Sequence, residues 1–402
     1  MRVLVFTQHF WPEENAPAQR WTWLAHGLAE HGIELHVITS SWNPEHQLEV
    51  WPKGVFIHRV GNAVPGMGLV RRSINEAIVS GKGILTALRV PRPDVIIVSS
   101  PPVGSMPLGH VLSTLLRRPL VLDLRDSWPQ LLDSWRTWAD YGEGQTFRGV
   151  RAAAMRLIVG YTRTMMRWTR SRAQLLVTTS TSFAEQLRAT HPHVISIRNA
   201  ASAAPVPEPA EGDGVLKALY LGNVGRAQYL ATAVRAAAKV QERGGRMCLR
   251  IVGSGAHLHA VEGLARKLDA PVEFLSRVGR AETSEQYAWA DTVLIMLRDW
   301  QALRVTIPSK LYDALASGRH ISASAAGETA AIVEATEAGH VAPPQDPDAL
   351  ADMWLRLIED PGLLVRPPQE EWLKQHSDTR ALSARYAQAL RDVANRAGVG
   401  RR

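Results

Sequence analysis

Short apolar runs alternate with helical patterns from the first residues of the chain. RVLVFT at residues 2–7 and LHVITS from Leu35 flank a helical pattern at residues 19–31, which Gly32 ends. Strand, helix and strand at this spacing form a βαβ unit, which predicts a parallel sheet. Because such a sheet binds ligands at the carboxyl ends of its strands, the residues after each strand are the candidates for a site.

The alternation continues in two blocks. Further apolar runs begin at Asp94, Leu120, Leu175, His193, Ala218, Leu249, Pro271, Asp291 and His320. Between the blocks, residues 201–214 (ASAAPVPEPAEGDG) lack periodicity and have the composition of a linker. A chain of 402 residues is too long for one core. We therefore predict α/β domains at 1–200 and 215–375, joined by the 201–214 linker, and a final helix and tail at 376–402.

Composition limits the classes of protein. The chain is 46% apolar and 21% charged, which is typical of a globular protein. We find no apolar run long enough for a membrane span, and MRVLVFTQHF shows no leader pattern, so we expect a cytoplasmic protein. Cys248 is the single cysteine, which excludes an internal disulfide and a cysteine-based structural metal site. The net charge of +8 suits phosphorylated ligands or an anionic bilayer; with no recognition module visible, we expect no nucleic-acid partner.

The stretch IPSKLYDALASG, residues 307–318, reads as a short helix with defined ends. Pro308 suits the helix entry, Ser309 is the predicted cap, and Gly318 is predicted to end the helix in a left-handed turn. One face is apolar and should be buried; it consists of Leu311, Ala314 and Leu315.

Lys310 lies in the first turn of this helix, where the helix dipole disfavours a cation. A phosphate beyond the helix start would explain a lysine there, whereas the alternative is a solvated lysine on an ordinary helix. A second glycine turn, Gly222-Asn223-Val224-Gly225, follows the strand at Ala218 and can present backbone amides to a diphosphate. This second signal is weak by itself.

These motifs resemble those of retaining family 4 glycosyltransferases, particularly the bacterial branch that builds O-antigen, capsule and exopolysaccharide. IPSKLYDALASG is similar to the donor-site helix, GNVGRAQ to the GN-x-G-x-AQ turn, and SSPP (99–102) with DLRDSWP (123–129) to a pair of cleft segments. The resemblance spans nearly the whole chain. It implies the GT-B fold, with two Rossmann-like domains facing across a cleft and a C-terminal helix crossing back to the first domain.

The resemblance assigns the second domain to the nucleotide-sugar donor. Lys310, Arg226 and the glycine-turn amides would stabilise the leaving diphosphate, and Asp313 would hold the ribose. The complete donor set is Gly222, Asn223, Gly225, Arg226, Arg280, Ser309, Lys310, Asp313, Gly327 and Glu328. The chain departs from the family where Asn223 and Gln228 replace an arginine and a lysine, where Val305 replaces a glutamate, and where Ala16, Pro17 and Ala18 replace a glycine-rich loop.

The resemblance assigns the first domain to the acceptor. Asp126 and Arg125 would border the transferred sugar and act with Lys310 in catalysis, although a purely structural ion pair of Arg125 with Asp123 or Asp126 is an alternative. The acceptor-side residues would be His9, Trp11, Asn15, Arg20, Pro101 and Trp128. We assign no general base. No metal ligands are assigned and no cofactor is expected, because relatives of this fold work without a bound metal.

The expected reaction moves a sugar from a nucleotide diphosphate sugar, most simply UDP-linked, to a glycan acceptor with retention at the anomeric carbon. The resembled branch implies a hexosyltransferase, a lipid-linked acceptor and a role in cell-surface polysaccharide biosynthesis. Two alternatives remain open at this point: a GT-B nucleotide-sugar epimerase, and a non-catalytic GT-B partner subunit.

Residues 146–172 form a basic amphipathic pattern that contains no acidic residue. Arg156, Arg163, Arg167 and Arg170 share one stripe, and apolar residues including Leu157 and Trp168 lie on the opposite side. Such a segment can lie on the anionic inner face of the cell membrane, or it can be a core helix with an arginine-rich outer face. The two are compatible if the helix packs inward with Leu157 and Trp168 while its arginine stripe faces lipid.

Overall fold

The structure of the protein, a computed structural model, describes residues 1–13, 15–41, 51–62, 69–100, 105–128, 130–137, 149–201, 206, 214–367 and 369–398. The strands are β1 Arg2–Phe6, β2 Glu34–Ser41, β3 Val55–Asn62, β4 Val95–Ser100, β5 Leu120–Leu124, β6 Leu175–Thr178, β7 Val194–Ser196, β8 Leu216–Leu221, β9 Met247–Val252, β10 Val272–Leu275, β11 Thr292–Met296, β12 His320–Ser324 and β13 Gly339–Ala342. The helices are α1 Ala16–Glu30, α2 Leu69–Arg89, α3 Ser105–Leu116, α4 Gln130–Asp133, α5 Val150–Arg172, α6 Thr181–Arg188, α7 Ala231–Glu242, α8 Leu258–Lys267, α9 Arg280–Trp289, α10 Ser309–Ser317, α11 Glu328–Ala335, α12 Pro347–Glu359, α13 Glu370–Ser377 and α14 Thr379–Arg396.

The first compact unit contains residues 1–129, 150–199 and 378–402. Its described strands form a parallel sheet in the order β3-β2-β1-β4-β5-β6-β7. The strand order reverses between β1 and β4, as in doubly wound Rossmann-like sheets. The ends of β1, β4 and β5 therefore lie at the place where such folds bind ligands.

The second compact unit contains residues 130–149 and 200–377. Its sheet is also parallel, in the order β10-β9-β8-β11-β12-β13, with the reversal between β8 and β11. The core strands are buried because helices cover them, which explains why their sequences are nearly continuous apolar runs. The predicted fold class, α/β with two Rossmann-like domains, is confirmed. Residues 201–214, the predicted linker, lie almost entirely outside the described part of the chain.

Helix α14 completes the core of the first unit. Leu382, Tyr386 and Leu390 are buried against α1 and the sheet. The helices approach closely because Gly27 has no side chain: a Cβ atom there would lie 2.1 Å from Ser383 Oγ. The C-terminal helix therefore packs with the first Rossmann-like unit, as the resemblance implied.

The segment that follows β5 packs with the second unit. Leu131 of α4 contacts a small apolar cluster that includes Leu297 and Leu303. In the 3₁₀-helix Ser134–Thr137, Thr137 Oγ1 accepts a 3.0 Å hydrogen bond from the indole N–H of Trp300.

The expectation that Leu157 and Trp168 pack inward is wrong. Their exposed fractions are 76% and 42%, whereas the buried residues of α5 are Val159, Met166 and Thr169. The sequence pattern identified two faces but assigned Leu157 and Trp168 to the wrong one, because Val159, Met166 and Thr169 fill the space beneath the helix. Among the described helices, none is sufficiently long and apolar to span a membrane.

Candidate functional site

Two glycine turns meet at the carboxyl edge of the second sheet. Gly222 follows β8 with a φ of 136°, and Gly253 follows β9 with a φ of 151°. A Cβ atom on Gly253 would lie 1.9 Å from the carbonyl oxygen of Gly222, so no larger residue fits there without a shift of the backbone. Sequence reasoning selected Gly222 but did not select Gly253. The signal was visible, because GSG at residues 253–255 directly follows the apolar run that begins at Leu249.

Lys310 lies directly against the first glycine turn. Its Nζ would be 3.0 Å from a Cβ atom on Gly222 and is 3.7 Å from the ring centroid of Tyr220. The ammonium group is buried and has no hydrogen-bond partner among the described residues. Burial lowers the pKa of Lys310 to about 7, because a low-dielectric site disfavours the charged form.

Helix α10 holds this lysine in place. Leu311, Ala314 and Leu315 are buried, as predicted, and Gly318 ends the helix with a φ of 73°. The predicted cap is wrong: Pro308 is the capping residue, and Ser309 is the first helical residue and makes no capping bond. Lys310 is therefore the second helical residue, where free backbone N–H groups and the helix dipole also favour a bound anion.

Asp313 lies one turn further along α10, close to α9. Burial raises the pKa of Tyr287 on α9, and the Asp313 carboxylate raises that pKa further. Arg280 is the first residue of α9. Asp313, the residue predicted to hold the ribose, thus lies on the same helix as Lys310, the residue predicted to bind the diphosphate.

The rest of the glycine turn is fixed by local hydrogen bonds. The Tyr220 hydroxyl donates to the Asn223 carbonyl at 2.6 Å, and the Gly225 N–H donates to Gln228 Oε1 at 3.2 Å. The exposed Arg226 donates through Nε to His257 Nε2 at 3.1 Å. Gln228, one of the departures from the family pattern, therefore supports the turn from within.

A third turn at this edge precedes α11. Gly327 has a φ of 71°, and a Cβ atom there would lie 1.9 Å from the Arg304 carbonyl oxygen. That carbonyl accepts a 2.8 Å hydrogen bond from the Glu328 backbone N–H. The turn is thereby attached to the loop that leads into α10, which brings Gly327 and Glu328 to the same sheet edge as Lys310.

In the first unit, Arg125 and Asp126 follow β5. Burial raises the pKa of Asp126, and the Arg125 guanidinium opposes that shift. Burial lowers the pKa of Arg125, and the carboxylates of Asp126 and Asp123 oppose it. The pair is therefore held in a poorly solvated place at the end of a central strand, where charged groups are costly unless they have a use.

Arg20 requires a correction. It is 1% exposed and forms a two-pronged ion pair with Asp123, at 3.0 and 3.3 Å. It also donates to the carbonyls of Ile197 and Arg198, and the Tyr386 hydroxyl donates to Asp123. Because protein groups use its donors, Arg20 holds the interior of the unit and does not lie at the predicted acceptor surface.

Three polar residues meet after β1. The Glu13 carboxylate lies 2.6 Å from both His9 Nδ1 and Asn15 Nδ2. Asn15 also caps α1, since its side chain accepts from the Ala18 N–H at 2.9 Å. The Trp11 ring packs edge-on against Trp51. The structure thus brings the predicted His9 and Asn15 together and adds Glu13, which sequence reasoning did not select.

Buried polar atoms without hydrogen-bond partners in the described part of the chain occur at the ends of β4 and β5. They are the hydroxyls of Ser99, Ser100 and Ser127 and the indole N–H of Trp128. A buried polar group that lacks a partner costs about 1–3 kcal/mol, so several at one sheet edge indicate a place for a polar ligand. Pro101, another predicted acceptor residue, lies outside the described residues.

Two models of known protein families match the chain. Residues 15–200 match the family described as "Glycosyl transferase 4-like domain", and residues 216–360 match "Glycosyl transferases group 1". The two matches together cover most of the chain and coincide with its two Rossmann-like parts. The protein is therefore a glycosyltransferase. Because it combines these two domains, it belongs to the glycosyltransferases of the group 1 and family 4 type.

Solved structures with the same fold cover almost the entire chain. Sucrose-phosphate synthase from Thermosynechococcus elongatus is 18% identical, with a TM-score of 0.75 and coverage of 98% of each chain. HepE from Anabaena, solved with UDP-glucose, is 14% identical, with a TM-score of 0.68 and coverage of 98% of this chain and 100% of its own. WaaG, a glycosyltransferase of lipopolysaccharide biosynthesis, is 16% identical, with a TM-score of 0.64 and coverage of 96% and 99%. These similarities show the GT-B fold. A search of curated proteins finds no significant match.

Proposed function

We propose that this glycosyltransferase takes a hexose from a UDP-linked sugar and transfers it, with retention, to a lipid-linked glycan of a cell-surface polysaccharide. The observation that carries the proposal is the buried Lys310 ammonium, without a hydrogen-bond partner among the described residues, beside the Gly222 turn. A diphosphate is the ligand that would satisfy it. The choice of UDP is supported by HepE, which was solved with UDP-glucose, and the choice of acceptor by WaaG, which acts in lipopolysaccharide biosynthesis.

In the proposed mechanism, Lys310 stabilises the leaving group. Cleavage of the bond between the sugar and the diphosphate places negative charge on the departing phosphate oxygen, and a positioned cation lowers the energy of that state. The free enzyme holds Lys310 with a pKa of about 7, and a bound diphosphate would raise this pKa and favour the ammonium form. The amides of the glycine turn and of the start of α10 would bind the same diphosphate.

The first unit would provide the acceptor side. Asp126 and Arg125 would border the transferred sugar. The hydroxyls of Ser100 and Ser127, which lack hydrogen-bond partners among the described residues, would bind glycan hydroxyl groups. We assign no protein general base, because the leaving diphosphate can itself accept the proton of the incoming hydroxyl.

The reaction is proposed to be metal-independent, since Lys310 and the backbone amides provide the positive charge. Turnover should therefore persist in excess EDTA, and its complete loss would contradict this part of the proposal.

The donor assignment can be tested by thermal unfolding with UDP, GDP, dTDP, ADP and CMP. A ligand at 100 times its dissociation constant stabilises the folded state by about 2.7 kcal/mol, which gives a clear shift of the midpoint. We expect the largest shift with UDP. Equal shifts with all five nucleotides, or none, would contradict a UDP site.

The role of Lys310 can be tested with Lys310→Met, which replaces the aliphatic part of the side chain and removes the ammonium group. UDP release from UDP-hexoses, with extracted polyprenyl-linked glycans as acceptors, should fall by about 10²- to 10³-fold. The matched control is Lys267→Met, at an exposed lysine in the same unit. The anomeric configuration of the product, determined by NMR, should equal that of the donor. An inverted product, or normal turnover of Lys310→Met, would overturn the mechanism.

A further inference from the structure

Large exposed apolar side chains concentrate on three helices of the first unit. They are Ile78, Leu85 and Leu88 on α2, Val111 and Leu115 on α3, and Leu157, Ile158, Tyr161 and Trp168 on α5. Elsewhere in the described chain, side chains of this kind are scattered singly. Because monomeric proteins rarely expose large apolar patches, this concentration of exposed apolar side chains indicates a binding surface.

The three helices are neighbours. Helix α3 contacts both α2 and α5. On each helix the exposed apolar residues recur at helical spacing, such as Val111 with Leu115 and Leu157 with Tyr161, so each helix presents one apolar side. We refer to the nine side chains together as the three-helix face.

Basic residues border the three-helix face. Neither α3 nor α5 contains an acidic residue. Exposed arginines on α5 include Arg156 and Arg167, and Lys82 and Arg89 are exposed on α2. The Arg172 guanidinium lies over the Trp168 ring, 4.7 Å from its centroid, so the ring and the charge occupy the same small area. Large apolar side chains mixed with basic residues form the composition of an interfacial membrane surface.

We propose that the three-helix face binds the surface of an anionic phospholipid bilayer. The apolar side chains would enter the boundary between headgroups and acyl chains, while the arginines would contact lipid phosphates. Trp168 and Tyr161 have an apolar ring with one polar atom, which suits this boundary. The inference does not depend on the transfer chemistry, because none of these residues belongs to the candidate site.

A second copy of the chain fits this face less well. In a symmetric dimer the same patch lies on both subunits, so the basic borders of α5 would be brought close together. Like charges at an interface oppose association. An anionic surface, in contrast, complements the arginines and covers the apolar side chains at the same time.

The test is sedimentation of the full-length protein with vesicles of phosphatidylcholine containing phosphatidylglycerol, and with vesicles of phosphatidylcholine alone. We expect binding to the anionic vesicles that weakens as salt is raised, because salt screens exposed charges. Failure to sediment with anionic vesicles at low salt would overturn the proposal.

Two variants test the two components. Leu157→Ser combined with Tyr161→Ser should weaken vesicle binding by about 10-fold or more, because both apolar side chains leave the lipid. Combined Gln substitutions of Arg156, Arg163 and Arg167 should weaken binding by about two orders of magnitude, at about 5-fold per basic residue. The matched controls lie on the second unit, at exposed positions: Val365→Ser, at a residue 74% exposed like Tyr161, and Gln substitutions of Arg235, Arg266 and Lys267.

The controls should bind vesicles as the wild type does, and equal losses in control and face variants would overturn the proposal. Analytical ultracentrifugation tests whether a second copy of the chain covers the face instead. The face would be a self-association surface if the wild type did not bind vesicles but formed a dimer, and if Leu157→Ser with Tyr161→Ser converted that dimer to a monomer. Thermal midpoints with and without UDP establish that the variants fold and keep the donor site. The membrane result and the donor result are therefore read separately.

Discussion

Arg20 and Lys310 are both buried cations, and the structure gives them opposite surroundings. Arg20, in the first unit, donates to the Asp123 carboxylate and to backbone carbonyls. Lys310, in the second unit, has a tyrosine ring and a glycine turn beside it and no hydrogen-bond partner in the described part of the chain. A paired buried charge is costly to break, because its partner is then left uncompensated, whereas a buried charge without a partner weakens the fold and indicates a functional site.

The largest expected effect on stability comes from Arg20→Met. The substitution leaves Asp123 buried and unpaired, so the free energy of unfolding should fall by about 3–5 kcal/mol in urea titrations. The double variant Arg20→Met with Asp123→Leu should recover much of that loss, because neither charge of this ion pair then remains buried. If the single variant is as stable as the wild type, Arg20 is not the internal support described above.

Lys310→Met should change stability in the opposite direction. In the wild type the pKa of Lys310 is about 7 when folded and near 10.5 when unfolded, so the unfolded state binds more protons between these values. Stability should therefore rise as pH increases from about 7 towards 10.5, by roughly a few kcal/mol for this group.

The variant lacks that contribution, so it should be more stable than the wild type at pH 7, with the advantage shrinking by pH 9.5. Urea titrations of the variant and the wild type at both pH values measure this difference in the free energy of unfolding. A variant less stable than the wild type at both would show that Lys310 is satisfied in the free protein.

Nucleotide binding should be coupled to protonation of Lys310. Since a diphosphate favours the ammonium, UDP affinity should fall by up to about 10-fold for each pH unit above 7, until the pKa of the complex is reached. Isothermal titration calorimetry in buffers of different ionisation enthalpy should show proton uptake of up to one per UDP at pH 8.5. Lys310→Met should show no such uptake; uptake that persists in this variant would assign the proton to another group.

The smallest expected effect concerns Tyr220. Tyr220→Leu removes the ring beside the ammonium, so the pH midpoint of UDP binding should move down by roughly half a unit. Tyr220→Phe keeps the ring and loses the hydrogen bond to the Asn223 carbonyl, so it should keep the midpoint. Equal shifts in both variants would mean that the hydroxyl, and not the ring face, sets the protonation of Lys310.

The sequence was sufficient for the fold, and it selected Lys310 and the Gly222 turn, which the structure brings together, because these features depend on local patterns. Alternating apolar runs determine parallel strands, and a lysine at the start of a short capped helix predicts an anion beyond it. Gly222 and Gly253 follow the neighbouring strands β8 and β9, so the sequence pattern was also sufficient to predict that they lie close together.

Other features depend on contacts between distant residues. Arg20 and Asp123 are 103 residues apart, and no spacing rule reveals that they pair. On α5, a helical pattern shows that two faces differ but not which one the neighbouring elements cover. Leu157 and Trp168 were therefore assigned to the core, although the smaller Val159 and Thr169 occupy it.

The position of α14 has a consequence for synthesis on the ribosome. Leu382, Tyr386 and Leu390 belong to the core of a unit whose other residues precede residue 200. That core cannot be completed until residues 200–377 have been translated, which takes roughly 10 to 40 s at typical rates. During this interval the nascent first unit exposes the apolar surface that α14 later covers, so we expect it to be the part of the chain that chaperones bind.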